Sequence, residues 1–205
     1  MWIVKIGGSL AGDPSLRHWL SMLSMHGAQV AIVPGGGPFA EQVRKAQAAW
    51  RFDDRVAHNL AVLAMAQFGM LMQGMCELLV PVQSASGVAE AARNRRVPIW
   101  LPFDMLRSRP DALTTWDATS DTLAAWLADR IGAQRLVLVK SCALPQDASP
   151  DACAEAGIVD RCFPMFVREA AYAVSILHRS EWGRVECALR DPYPYAGADP
   201  APSAS

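Results

Sequence analysis

Several signatures that would assign a function at once are missing from these 205 residues. There is no Cys-x-x-Cys pair. Cys76, Cys142, Cys153, Cys162 and Cys187 are scattered and odd in number, which excludes a zinc ribbon or a disulfide frame and reads as reduced thiols in a cytoplasmic protein. Neither Gly-x-x-x-x-Gly-Lys-[Ser/Thr] nor a strand-end Gly-x-Gly-x-x-Gly occurs, so a Walker-type NTPase and a dinucleotide fold are unsupported. Charged residues make up only 19% and leave a net charge of −1, which argues against nucleic acid or a membrane surface as partner. The amino terminus runs straight into a strand and a glycine loop, leaving no room for a secretory signal. No internal repeat and no clear linker is visible.

One uncharged run, Asn59 to Cys76, sits at the lower edge of what could span a membrane. It contains Asn59, Gln67, Gln73, Gly69 and Gly74 and lacks flanking basic and aromatic anchors. Leu60, Ala64, Phe68, Leu71, Met75 and Leu79 recur at helical spacing. The run therefore reads as a buried helix and a candidate subunit interface, where Met65, Met70 and Met72 pack adaptably.

What the chain does have is apolar bulk, 52% of residues, enough for one large or two merged domains. It also has two turns of one kind. An apolar strand, Trp2 to Ile6, carries Lys5 and runs into Gly7-Gly8-Ser9. A second, Gln29 to Val33, is followed by Pro34 and then Gly35-Gly36-Gly37-Pro38. Glycines allow backbone N–H groups to approach an anion closely, because no Cβ holds it off. Either turn alone reads as an ordinary strand-to-helix connection. The two together, with Lys5 beside the first, point to two anions held side by side, as phosphoryl transfer requires.

Strand and helix signals alternate along the rest. Asp13-Pro14 opens a helix with an apolar face of Leu16, Trp19, Leu20 and Leu23, stopped by Gly27. Pro38 starts a helix reaching about Ala49, and a polar connection from Trp50 to Arg55 leads into the long helix. Leu78 to Val82 reads as a strand, Ser84 to Arg96 as a helix, and Val97 to Leu101 as a strand weakened by Pro98. Arg107 to Trp116 reads as loop. Thr119 to Ile131 is a helix capped by Thr119 or Ser120 and closed by Gly132. Arg135 to Lys140 is a strand and Ser141 to Gly157 a loop. Phe163 to Ala170 reads as a helix, Ala171 to Leu177 as a strand and Ser180 to Leu189 as a helix, with a disordered tail from Asp191. The alternation implies an α/β fold, a three-layer αβα sandwich with a mostly parallel central sheet. Residues 1–190 form a single domain on this reading, with an acceptor lobe over about 1–125 and a nucleotide lobe over about 126–190. Ligands in such sheets sit at the carboxyl ends of the strands, where both glycine turns fall.

A third element carries chemistry: Trp116-Asp-Ala-Thr-Ser-Asp121, which places Asp121 in the first turn of a helix. It is either a helix-stabilising charge or a carboxylate that orients phosphate-binding lysine. Val4-Lys-Ile-Gly-Gly-Ser-Leu10, Val33-Pro-Gly-Gly-Gly-Pro-Phe-Ala40 and Thr119-Ser-Asp-Thr-Leu-Ala-Ala125, in that order, resemble the amino acid kinase family. The resemblance implies ATP and Mg2+, with Lys5, Gly7, Gly8, Ser9, Ser120 and Asp121 on the nucleotide side. It also implies Gly35, Gly36 and Gly37 on the acceptor side and Asp121 as organiser, without a protein-held metal. Arg44, on the helix after the triple glycine, is the candidate cation for an acceptor phosphate, and Trp116 the candidate aromatic wall. Within the family, Val43-Arg-Lys45, His58 with Leu60-Ala61, and Cys162-Phe-Pro164 are most similar to the methanofuran-biosynthesis branch. That similarity implies a small phosphorylated substrate, (5-(aminomethyl)furan-3-yl)methyl phosphate, a diphosphate product and a homo-oligomer.

The chain departs from the family where many relatives carry Thr-Asp-x-Asp-Gly; here the stretch is Lys140-Ser-Cys-Ala-Leu144. The second phosphate-binding lysine falls near Arg168. Lys140 is either its replacement or a solvated strand terminus. His58, without a His or Cys partner at ligand spacing, reads as structural. Three functions remain open: a kinase for a phosphate acceptor, a kinase for a carboxylate or carbamate, and a non-catalytic nucleotide- or anion-binding subunit.

Overall fold

The computed structural model describes residues 1–106 and 113–190. Most of the loop read at Arg107 to Trp116, and the tail from Asp191, lie outside the described residues. Six strands form one all-parallel sheet: β1 (Trp2–Ile6), β2 (Val30–Pro34), β3 (Leu79–Val82), β4 (Val97–Trp100), β5 (Arg135–Lys140) and β6 (Ala173–His178), in the spatial order β3-β4-β2-β1-β5-β6. The helices among the described residues are α1 (Ser15–Ser24), α2 (Gly37–Trp50), α3 (Asp54–Met75), α4 (Ala85–Arg93), α5 (Phe103–Leu106), α6 (Ser120–Arg130), α7 (Pro150–Glu155), α8 (Phe163–Val167) and α9 (Trp182–Arg190). The αβα sandwich follows from the strands themselves: β2, buried at every position, has no face to offer water. Pro98 is accommodated in β4, where pairing with β2 is confined to Ile32 opposite Ile99, so little is lost with the missing N–H.

Successive strand residues feed two cores. Ile3, Leu136 and Leu138 pack with Leu123, Ala124 and Leu127 of α6, while Val4, Ile6, Val137 and Val139 pack with Leu16, Trp19, Leu20 and Leu23 of α1. By the same alternation, Lys5 and Lys140 lie on the α6 face, at the carboxyl ends of adjacent strands.

The structure corrects the sequence reading in several places. A 3₁₀ turn over Gly8–Gly12 and the short helix α7, inside what reads as loop, were not foreseen. Helix α3 starts at Asp54, where Asp53 Oδ1 accepts from Val56 N at 2.8 Å, so the polar connection is shorter than expected. Its buried stripe holds Ala57, His58, Val62, Ala64, Met65, Phe68, Gly69 and Met72, whereas Leu60 and Leu71 are exposed. Packing explains the shift: a Cβ on Gly69 would meet Leu101 Cδ2 at 2.7 Å and Ile99 Cγ2 at 3.0 Å. At Gly69 the helix rides so close to the sheet that no side chain fits, while Val62, Met65, Phe68 and Met72 fill the space on either side. No described helix is long and apolar enough to cross a membrane.

Candidate active site

The two glycine turns touch main chain to main chain. A Cβ on Gly8 would press on Gly37 N and lie 2.6 Å from Gly37 Cα, and one on Gly35 would lie 2.5 Å from Gly8 N. Gly37 adds a left-handed backbone, φ 55°, which a side chain would strain. Not every glycine faces a ligand, however. Gly7 N–H donates to Val139 O at 3.0 Å and Gly35 N–H to Ile6 O at 2.8 Å, extending the sheet at two buried positions. Gly8, Ser9, Gly36 and Gly37 are the members that reach the cavity. Gly7 and Gly35, expected from the sequence as ligand-facing amides, thus have their N–H groups engaged by the sheet.

That cavity, of about 680 Å3, is closed on the far side by α3 and by the start of α6, with Ala61, Val62 and Met65 opposite Trp116 and Leu123. Arg44 and Trp116 both line it and touch each other: the guanidinium lies 4.7 Å from the ring centroid. Trp116 Nε1–H donates to Gln47 Oε1 at 2.6 Å, which fixes the ring against α2. Ser120 is on the wall as the first residue of α6. His58, which the sequence offered as structural, is buried and lines the same cavity from α3.

Under the amino end of α6 lies an ionic centre. Lys5 Nζ stands 2.7 Å from Asp121 Oδ1, and Lys140 Nζ 2.9 Å and 2.7 Å from Asp121 Oδ1 and Oδ2. All three side chains are buried. Asp121 is more than a helix-end charge, and Lys140 is not a solvated strand terminus. Burial works against the charged form of Asp121, yet Lys5 and Lys140 outweigh it and hold the carboxyl at about 2. Burial, reinforced by the charge of Lys5, lowers Lys140 to about 8 despite Asp121. A compact ammonium group shifts in this way where a guanidinium would not. Arg168 is not brought to the centre: it ends α8 on the surface, with its guanidinium 4.0 Å from Asp151.

Two links tie the first glycine segment to the far half of the sheet. Ser9 Oγ and Ser141 Oγ share a hydrogen bond of 2.6 Å, and Asp13 pairs with Arg179 at 2.6 Å. The chain has three lysines, Lys5, Lys45 and Lys140, and two of them meet at Asp121. Among the described residues no group of three or more His, Cys, Asp or Glu is placed to hold a metal ion.

The [5-(aminomethyl)furan-3-yl]methyl phosphate kinase of Methanocaldococcus jannaschii is 28% identical over 140 residues, covering 67% of this chain and 64% of that protein. The chain thus matches less than two thirds of that relative's length. Solved structures share the fold: uridylate kinase from Archaeoglobus fulgidus (TM-score 0.65, 16% identity, 92% of this chain and 95% of that one) and carbamate kinase from Giardia lamblia bound to AMP-PNP (TM-score 0.62, 10% identity, 92% and 95%). The model of the amino acid kinase family matches residues 1–143, well over half of the chain, and the chain belongs to that family.

Proposed function

We propose that the protein is an ATP-dependent kinase whose acceptor is a small phosphate ester. The observation that carries the proposal is the Lys5–Asp121–Lys140 centre beside the interlocked glycine loops. In direct contact it holds two ammonium groups against one carboxylate, an excess positive charge at the strand ends. Transfer between two phosphates builds negative charge on oxygens that repel each other, and preorganised cations and amides offset it. Lys5 and Lys140 neutralise the transferred group, while Gly8 and Ser9 face the nucleotide and Gly36 and Gly37 the acceptor. Mg2+ enters with the nucleotide phosphates, and ATP supplies the phosphoryl group. Held at about 2, Asp121 stays ionised at neutral pH and organises the lysines rather than abstracting a proton. A phosphate acceptor needs no base, because its oxygen is already ionised.

The acceptor proposed is an aminomethylfuran monophosphate, giving a diphosphate. The named activity of the Methanocaldococcus relative supports this, as do Arg44 and Trp116, which put a guanidinium and a flat aromatic wall in one cavity. The enzyme would work in the cytoplasm, where its five unpaired thiols stay reduced. As the expected homo-oligomer it would pair through the outer side of α3, which exposes Val56, Leu60, Leu63, Met70 and Leu71. The test is ATP turnover with (5-(aminomethyl)furan-3-yl)methyl phosphate, followed by phosphorus NMR. Two coupled resonances distinct from those of ADP are expected. An acyl phosphate formed from a carboxylate and trapped by hydroxylamine would replace this proposal with a carboxylate kinase. Absence of ADP release with any acceptor would leave a binding subunit.

A further inference from the structure

Helix α6 has no cap of its own. Thr119 stands at its N-cap position with extended backbone, but its side chain does not bond to the helix amides, and amides at a helix start need partners. They find one far downstream, in Asp160 between α7 and α8. Asp160 Oδ2 accepts from Thr119 N at 2.8 Å, Thr119 Oγ1 at 2.9 Å and Thr122 N at 3.0 Å. Its Oδ1 accepts from Thr122 Oγ1 and, at 3.0 Å, from Phe163 N. Five donors converge on one side chain, which accepts on both of its oxygens. The backbone N–H of Asp160 then donates to Asp121 Oδ2 at 3.3 Å. One residue thus holds both the first turn that carries Asp121 and the Asp121 carboxylate itself. Cys162 N–H, donating to Asp117 O at 3.0 Å, fastens the same segment to the approach of α6.

We propose that Asp160 is a positioning residue for the ionic centre: it sets the place at which the Asp121 carboxylate bridges Lys5 and Lys140. It acts through Asp121 and through the helix start, and needs no contact with substrate. The kinetic consequence rests on the phosphotransfer reading; the geometric claim does not.

The scarcity of lysine makes the claim measurable without turnover. A full-length chain labelled with 13C-lysine gives three ε-methylene correlations, one each for Lys5, Lys45 and Lys140. Asp160→Asn keeps the size of the side chain but turns one acceptor oxygen into a donor. The expected result is that the Lys5 and Lys140 correlations move while Lys45, on the exposed side of α2, stays in place. The Lys140 titration midpoint, about 8 in the wild type, should fall further. The groups facing Lys140 are Asp121, Lys5, Asp160 and Cys153, and the variant removes one that favours the ammonium. In the ATP assay with (5-(aminomethyl)furan-3-yl)methyl phosphate, kcat should drop by about a hundredfold, the cost of a misplacement near 1 Å, with KM for ATP changed less. Thr122→Val removes one donor and leaves the carboxylate in place, so the same shifts, smaller, are expected even if the first variant does not fold. Lys5 and Lys140 correlations and midpoint unchanged in the variants would reduce Asp160 to a helix cap and overturn the proposal. If the wild type releases no ADP, the lysine correlations still decide the positioning claim, and the phosphotransfer reading alone falls.

Discussion

Replacing Lys140 with methionine removes one of the two ammonium groups on Asp121 while keeping an unbranched side chain to fill the buried space. The pKa of Lys140 is lowered from 10.5 to about 8, chiefly by burial and then by the charge of Lys5. A shift of that size amounts to about 3 kcal/mol spent on keeping the group charged in the folded chain. The native state binds fewer protons than the unfolded state between about pH 8 and 10.5, so wild-type stability rises with pH across that window. Below pH 8 both states carry the proton and the cost is present in full. Lys140→Met removes it and leaves Asp121 paired with Lys5 alone. At pH 7 the variant should therefore be as stable as the wild type, or more stable by up to about 3 kcal/mol, and it should lack the rise at alkaline pH. Turnover, in contrast, should fall by about a hundredfold or more. Urea unfolding at pH 7 and pH 9.5, with kcat measured on the same preparations, separates the two effects. A variant destabilised by more than about 2 kcal/mol with turnover intact would refute the reasoning and make Lys140 a structural counter-ion.

Asp121→Asn should behave in the opposite way. It leaves two buried ammonium groups without a carboxylate, a loss of about 3–5 kcal/mol, visible as a melting temperature lower by about 10 °C; an unchanged melting temperature would contradict the ionic centre. In the wild type this contribution is present above pH 3.8 and is lost only as pH falls towards about 2, through the folded pKa of Asp121, which acid titration followed by circular dichroism checks. Gly8→Ala forces the two glycine loops apart and should cost about 1–3 kcal/mol by denaturant unfolding together with a lower kcat. Arg44→Ala should raise KM for the acceptor about tenfold, the worth of one charge-assisted hydrogen bond, and leave KM for ATP nearly unchanged. Equal effects on both constants would take Arg44 out of the acceptor site.

The parts of this fold legible in the sequence are those encoded locally. Apolar runs ending in glycine gave the strands β1 and β2 and their turns, and first-turn placement gave Asp121. The rest depends on neighbours distant in sequence. Whether Lys140 is solvated or buried turns on β5 lying beside β1, with Lys5 opposite Leu138, and no local pattern contains that register. Asp160 bonds to residues 38 to 41 positions away from a stretch whose own composition says only loop. Gly7 and Gly35 are chemically identical to Gly8 and Gly36, and only sheet pairing separates a spent amide from an available one. On α3 the expected Ala64 and Phe68 are buried but Leu60 and Leu71 are exposed, because the close approach of the helix to the sheet at Gly69 turns a neighbouring stripe inward. The rarity of lysine beside sixteen arginines is legible in the sequence, but the meeting of two of the three at Asp121 is not.

The contact between the glycine loops is made of backbone alone, so side chains elsewhere in the chain do not tune it. In the proposed enzyme the separation of donor and acceptor would be an inherited constant, indifferent to drift elsewhere in the chain. The cavity wall is a different material: Ala61, Val62 and Met65 on α3 and the Trp116 ring are side chains that can be resized one at a time. A lineage, or an engineer, can therefore trade one acceptor for another by editing α3 and the approach to α6. The transfer step itself would be left unaltered, and that separation is one physical route by which a single scaffold comes to serve many substrates.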